Sequence, residues 1–344
     1  MKIAIVSNPY VDVPPLKYGG IEQIVYLLCE GLVKKGHEVY LYATGKSKTS
    51  GFLKYLYKEA IWPIDYRMGA DHYSFAFEDI LKQNDFDIIH LHDALALPFT
   101  RFIKNIPYIN TIHHVNDKSI SRIYSHFQNI HYITISEYQR KQEVTLKNVK
   151  TIYHGLEVKY FKFNDQHKGY LAFLGRISKV KGLHNAIEVA LTTNNDLHIG
   201  GPVHWVDESY FNEKIKPHLN NNHIKYLGNL NLEEKVELLS NAKATLFPIE
   251  WDEPFGLVMI ESMLCGTPVI AFSKGSVNEL IEEGITGFIV NNLDEMIGLI
   301  KSEKLNNFDR KRCVERARVR FNSNKFIDEH EKYYEEVSKI ICMH

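Results

Sequence analysis

Glu253 and Glu261 are the residues best placed to do chemistry, because they bracket the run E-P-F-G-L-V-M-I-E. Leu257, Ile260, Met263 and Leu264 recur at helical spacing, and Pro254 suits a first helical position. Gly266 and Pro268 end the helix before a short apolar strand, Val269 to Phe272. On a helix the eight steps between the two carboxylates span about 12 Å. That separation suits a ligand with two polyhydroxyl ends and an anionic middle, the layout of a sugar nucleotide. The first turn, around Phe255, Gly256 and Leu257, offers unpaired N–H groups and the positive dipole end to a diphosphate. Gly256 keeps a side chain out of the ligand's path. A surface helix carrying two solvated acids accounts for the same pattern equally well, so a second signal has to decide.

That signal is L-G-R-I-S-K-V-K-G, Leu174 to Gly182, which follows a strand and precedes a helix. Loops in that position hold phosphate groups. Here the loop carries Arg176, Lys179 and Lys181; an Arg can bind two phosphate oxygens at once and a Lys adds a point charge. It is not a Walker A loop. Alone it would read as a basic surface turn; paired with Glu253 and Glu261 at the same sheet edge it reads as an anion site.

Histidines form a third group. His90 and His92 share one face of a strand, and His113-His114 end another. A metal site from His90, His92, Asp93 and His113 is conceivable, but no H-x3-H or H-E-x-x-H spacing occurs. The expectation is no metal, with His113 lining a polar cleft.

The elements that position these residues alternate strand and helix throughout. The 344 residues exceed one ordinary core and predict two domains. Ile3 to Ser7, a helix from Ile21 to about Lys35 and Glu38 to Thr44 form a βαβ unit, with a long loop ending in Gly19-Gly20. Strands Asp87 to His92, Tyr108 to His113, Tyr132 to Ser136 and Val149 to Tyr153 follow, with helices at Asp71 to Gln83, Pro98 to Lys104 and from Glu137. Lys48 to Gly69 interleaves aromatic and basic residues; it reads as a partly buried excursion or as a segment touching acceptor or membrane. A polar stretch, Asn164 to Lys168, reads as the linker. A second alternation then runs through strands at Tyr170, Leu197, Ile224, Ala244, Val269 and Gly287, closing in helices near Leu293 to Lys301, Phe308 to Phe321 and Lys325 to Ile341. The expected division is 1–164, 165–322 and a final helix over 323–344. Doubly wound sheets of this kind bind ligands at the carboxyl ends of their strands.

Composition narrows the function classes. Apolar residues make up 44% and charged residues 24%, with a net charge of −1, so nothing in the totals draws the chain to nucleic acid. Cys29, Cys265, Cys313 and Cys342 are scattered without a C-x-x-C pair, which fits a reduced cytoplasmic protein. The start, MKIAIVSNPY, reads as a strand rather than a signal peptide, and no apolar run reaches membrane-spanning length.

Together these stretches resemble the retaining glycosyltransferases of family 4, glycosyl transferases group 1. The matching pieces are G-G-I-E from Gly19, T-I-H ending at His113, G-R-I-S-K-V-K-G, E-P-F-G-L-V-M-I-E with C-G-T-P-V-I-A, and Gly275 to Val290. The resemblance covers the whole chain and is strongest from Gly175 to Val290. It implies the GT-B fold: two Rossmann-like α/β domains facing across a cleft, an acceptor-binding one first and a nucleotide-sugar-binding one second, with a C-terminal helix crossing back. It also implies roles: Arg176 and Lys181 holding the donor diphosphate, Glu253 contacting the transferred sugar, Glu261 the ribose. Phe255, Gly256 and Leu257 would supply backbone contacts, Gly19 and Gly20 would approach the diphosphate, and His113 would sit over the sugar near the reacting carbon. The implied reaction moves a hexose from a nucleoside-diphosphate sugar, UDP first, to an acceptor hydroxyl with retention, without a metal or other cofactor. Acceptor glycan, glycolipid and small molecule all fit, as does peripheral membrane contact. The His113-His114 pair is followed by Val115 where the family often has a small polar residue. A nucleotide-sugar epimerase of the same fold, or a noncatalytic sugar-nucleotide-binding partner of another transferase, is the alternative.

Overall fold

The computed structural model describes residues 1–341. Its chain divides into two compact units: Met1–Leu156 together with the last helix, and Glu157–Asn322. The first unit runs β1 (Lys2–Val6), α1 (Gly20–Lys34), β2 (Glu38–Tyr42), β3 (Phe52–Lys54), α2 (Tyr66–Gln83), β4 (Ile88–Leu91), β5 (Tyr108–Ile112), α3 (Lys118–Ser125), β6 (His131–Thr134), α4 (Glu137–Gln142) and β7 (Asn148–Thr151). Its seven strands are ordered β3-β2-β1-β4-β5-β6-β7, every pair parallel. The central strands β4 and β5 are buried along their whole length, as strands covered on both faces are, and they carry His90, Asn110 and Thr111 into that interior. The order reverses between β1 and β4, so the loops after Val6 and Leu91 open side by side.

The second unit runs β8 (Leu171–Leu174), α5 (Leu183–Thr193), β9 (Leu197–Gly200), α6 (Glu208–Tyr210), β10 (Ile224–Tyr226), α7 (Leu232–Ser240), β11 (Ala244–Phe247), α8 (Leu257–Leu264), β12 (Val269–Phe272), α9 (Val277–Leu280), β13 (Gly287–Val290), α10 (Leu293–Lys301) and α11 (Arg310–Arg320). Its parallel sheet is ordered β10-β9-β8-β11-β12-β13, with the reversal between β8 and β11. The apolar core under this sheet includes Leu171, Phe173, Leu246 and Ile270 from the strands and Ile187 and Met296 from the helices.

The last helix, α12 (Ser323–Ile341), returns to the first unit and lies on α1. Gly31 makes room: a Cβ there would lie 2.1 Å from Ile327 Cδ1. Lys35 Nζ meets Asp328 at 2.7 Å and Glu331 at 2.6 Å, and His37 Nε2 meets Glu331 at 2.8 Å.

Several expected boundaries shift. Residues 157–164, expected in the first domain, belong to the second unit. One cause is buried Arg310, whose Nε donates to the Asn164 carbonyl at 2.8 Å while Nη1 and Nη2 reach the Ala242 and Ser240 carbonyls, each at 2.8 Å. Lys48 to Gly69 is partly an edge strand, β3, pairing with β2, and Phe52 stacks on Tyr40 with ring centroids 4.7 Å apart. The helix expected over Pro98 to Lys104 is a 3-10 turn at Ala94–Arg101, capped by Asp93. Pro254 is not a first helical residue: α8 begins at Leu257, with Gly256 as its N-cap at φ 85°. Cys29, Cys265 and Cys313 are buried free thiols, and Cys342 lies outside the described residues.

Candidate functional site

In the second unit the strand-order reversal sets the loops after β8 and β11 side by side. Glycine backbone holds them at contact distance. A Cβ on Gly182, at φ 73°, would lie 1.9 Å from the Pro248 carbonyl oxygen, and one on Gly201 would lie 1.8 Å from that of Gly175. Gly175 N–H donates to Gly200 O at 3.0 Å, Ile177 N–H to Pro202 O at 2.9 Å and Glu250 N–H to Val180 O at 2.8 Å. The Arg/Lys loop is thereby pinned from both neighbours, and no other residue type fits at Gly182 or Gly201 without moving them.

Lys181 ends a short 3-10 turn, Lys179–Lys181, and its ammonium forms an ion pair with Glu253 Oε2. The same oxygen accepts the Trp251 indole N–H at 2.9 Å, and Lys181 Nζ sits 4.8 Å from the Trp251 ring centre. Two donors thus converge on one oxygen, leaving Oε1 as the open acceptor of a buried carboxylate. Arg176 is held differently. Its Nε stands 3.5 Å from Asp207 Oδ2, and neither buried atom makes a hydrogen bond. Only charge restrains this guanidinium, so it can turn toward an incoming anion at little cost.

Glu253 lies in the loop before α8, so the helical 12 Å expected between the two carboxylates does not apply. Its backbone is fixed by Gly275: Ser276 N–H donates to Glu253 O at 2.9 Å, and a Cβ on Gly275 would come within 2.4 Å of Glu253 N. Phe255 is buried and its carbonyl accepts the Ser276 hydroxyl at 2.7 Å. Gly256 caps α8 and Leu257 is its first residue. Glu261, inside α8, meets Lys235 Nζ of α7 at 3.4 Å. Asp207 and Lys235 carried no sequence signal, since each is an ordinary surface residue type with a partner distant along the chain, and Trp251 stands beside the Glu253 stretch with no motif to mark it.

In the first unit, Gly19 caps α1 and Gly20 is its exposed first residue. A Cβ on Gly19 would lie 2.7 Å from Pro15 Cβ and 2.9 Å from Glu22 Oε2, so the loop closes tightly on the helix start. Buried Glu22 accepts the Asn8 amide at 3.0 Å. At the ends of β4 and β5, His92 Nδ1 and His113 Nε2 are 2.9 Å apart. His92 stacks near His90 at 4.2 Å between ring centres, and His113 near His154 at 5.7 Å. His90 bridges Tyr334 OH of α12 at 2.6 Å and Thr111 Oγ1 at 2.7 Å. Burial, then the charges of His114 and His330, pushes half-buried His113 down to about 3. Burial also pushes His330 down to about 4 and drives His90, His92 and His154 well below the usual histidine range. These are neutral imidazoles at neutral pH. Among the described residues no group of three or more His, Cys, Asp or Glu is arranged to hold a metal ion, and no helix is long and apolar enough to cross a membrane.

Each of the two units is thus a Rossmann-like sheet with its own switch point. The match to known proteins agrees. The model for Glycosyltransferase Family 4 covers residues 18–160 and that for Glycosyl transferases group 1 covers 159–320. A relative described as an uncharacterized glycosyltransferase of Methanocaldococcus jannaschii is 26% identical over 84% of this chain and 85% of its own. Among solved structures, sucrose-phosphate synthase from Thermosynechococcus elongatus superposes with a TM-score of 0.83 at 18% identity, covering 98% of both chains. Anabaena HepE, solved in complex with UDP-glucose, gives 0.77 at 17% identity, covering 98% of this chain and all of its own (100%). The chain belongs to the group 1 glycosyltransferases of family 4, with the GT-B fold.

Proposed function

We propose that this glycosyltransferase moves a hexose-type sugar from a nucleoside-diphosphate sugar, UDP-sugar first, to an acceptor hydroxyl with retention and without a metal ion. The observation that carries the reading is the glycine-pinned loop of Arg176 and Lys181 set beside Glu253 where the sheet order reverses. Breaking the bond between sugar C1 and phosphate puts negative charge on the leaving diphosphate. Arg176, restrained only by charge, and Lys181, already aimed at an anion, supply the stabilisation that is usually the largest catalytic term. Lys181 would exchange part of its contact with Glu253 for phosphate, and Glu253 Oε1 would accept a sugar hydroxyl. Glu261 would hold the ribose, the N–H groups of Phe255, Gly256 and Leu257 the diphosphate, and Gly19 and Gly20 would approach it from the first unit. His113 would stand near the reacting carbon. HepE's complex with UDP-glucose supports the choice of base.

The acceptor is a glycan, a glycolipid or a small molecule. Exposed Tyr55, Leu56 and Trp62, with Lys58 nearby, favour a surface that meets a large or membrane-borne one. The test is a thermal-shift screen with UDP, GDP, ADP and CMP, with and without their common sugars, in EDTA. A ligand that binds only the folded chain raises its melting temperature. A shift with UDP or a UDP-sugar that survives EDTA is expected. A shift with a different nucleotide moves the donor assignment, and no shift with any overturns the donor site.

A further inference from the structure

The nitrogen atoms of His92 and His113 carry information that the placement of His113 near substrate does not. His92 Nδ1 and His113 Nε2 share one proton across 2.9 Å. His92 is buried at the end of β4, and its other nitrogen, Nε2, is buried with no hydrogen-bond partner. Around it stand His90, His113, His330 and His154, all held neutral, so no carboxylate is at hand to accept a proton from Nε2 or to hold a second one on the ring. Two arrangements are open to two neutral imidazoles. If His113 Nε2–H donated to His92 Nδ1, the proton of His92 would sit on Nε2 as a buried N–H with no acceptor. If His92 Nδ1–H donates to His113 Nε2, then Nε2 of His92 is a bare lone pair. Orphaned buried N–H groups are rarer in folded proteins than under-satisfied acceptors, which favours the second arrangement. The second arrangement forces the remaining proton of His113 onto Nδ1, the nitrogen for which the described residues supply no partner.

We propose that His92 is a positioning residue that fixes His113 in its Nδ1–H form, so that His113 meets the substrate as a hydrogen-bond donor and not as a base. The inference rests on the reading of His113 as a substrate-facing residue for its catalytic meaning, but not for its test. His113 then donates to an oxygen of the donor sugar or of the diphosphate. As the acceptor oxygen bonds to C1, the bond from C1 to phosphate breaks, and the leaving phosphate oxygen keeps the electron pair and takes the proton released by the acceptor hydroxyl. His90 completes the array from behind: its two nitrogens are both taken, by Tyr334 OH and Thr111 Oγ1, so its ring cannot rotate to offer His92 Nε2 an acceptor without losing both.

The experiment is a long-range proton–nitrogen spectrum of the full chain labelled with 15N-histidine at pH 7.5, with the His113 signals assigned from His113→Gln. The expected pattern has Nδ1 protonated and Nε2 bare. The opposite pattern overturns the proposal. His92→Asn keeps an amide in place of Nδ1 and should preserve the Nδ1–H pattern. His92→Leu should abolish it and lower kcat by about tenfold, the worth of one neutral hydrogen bond, with KM little changed. A His92→Leu chain that still shows the Nδ1–H pattern removes His92 from the role. If His92→Leu does not fold, the wild-type and His92→Asn spectra decide alone. A protein that turns over no nucleotide sugar but shows the expected spectrum would sink the functional reading and leave this one standing.

Discussion

Acidification should loosen the first unit, and the amount can be worked from its buried histidines. His72 on α2 is fully buried against the Ser7 carbonyl at 3.0 Å, and burial pushes it down to about 4. His330 on α12 is likewise pushed down to about 4. Unfolded, each returns to about 6.5. Below that value the unfolded chain takes up protons that the folded chain refuses, so stability is lost as pH falls from 7 toward 4. Between pH 7.5 and 5.5 each histidine costs on the order of 1 kcal/mol by linkage. His72 and His330 together cost about 2–3 kcal/mol, a sizeable part of the roughly 5–15 kcal/mol that holds a domain folded. His90, His92 and His154, driven down by the same burial, add in the same sense. Glu22 and Asp93, whose carboxyls burial pushes up, act in the opposite sense at the acid end. The assay is pulsed hydrogen exchange in urea at both pH values, read on peptides covering β4 and β5 so that the first unit reports by itself. His330→Gln and His72→Gln should each start less stable at pH 7.5 yet lose about 1 kcal/mol less on acidification. An acid loss of the same size in wild type and both variants would refute the reasoning.

Substitutions at four positions test the second unit. Lys181→Ala should keep the fold by circular dichroism and lose roughly 10²–10³ in kcat, because one donor to the developing phosphate charge is gone; near-normal turnover would remove Lys181 from the diphosphate. Glu253→Ala frees Lys181 from its ion pair, so UDP affinity measured by calorimetry should hold or rise while sugar transfer falls, and equal losses of both would undo the role at the sugar end. Gly182→Ala should cost about 2–4 kcal/mol in urea titration, since its Cβ would meet the Pro248 carbonyl at 1.9 Å in a left-handed backbone. Arg310→Met should cost about 3–5 kcal/mol by leaving the Asn164, Ala242 and Ser240 carbonyls buried without their donor, and Arg310→Lys should not rescue it, because one ammonium cannot span all three.

What could be read from the sequence was whatever depends on neighbours along the chain. Leu197 to Gly200, Ala244 to Phe247, Val269 to Phe272 and Gly287 to Val290 are strands that start where expected, because short apolar runs bounded by turn residues have few other fates. The partnering of the site residues was out of reach. Lys181 was assigned to the diphosphate and Glu253 to the sugar of one ligand, yet the two side chains fold into contact with each other through a loop that Gly182 and Gly275 hold in place. Pro254 looked like a helix start, but Gly256 at positive φ delays the helix to Leu257, a decision made by packing against Phe247 and Met259. Chain 201 to 223 breaks into short helical turns of changing pitch, which no single periodicity describes.

The return of α12 to the first unit bears on how the protein is made. The chain leaves that unit at Leu156 and re-enters at Ser323, whose N–H donates to the Leu156 carbonyl at 2.9 Å. The second unit is therefore an insertion, complete while its host is still missing a helix. At about 5–20 residues per second, synthesis leaves the first unit waiting roughly ten seconds to half a minute for α12. Throughout that interval Gly31 and its neighbours on α1, and the His90 ring that later meets Tyr334, have no cover. A nascent chain stalled before Ser323 should thus recruit chaperones through its first unit and not through its second.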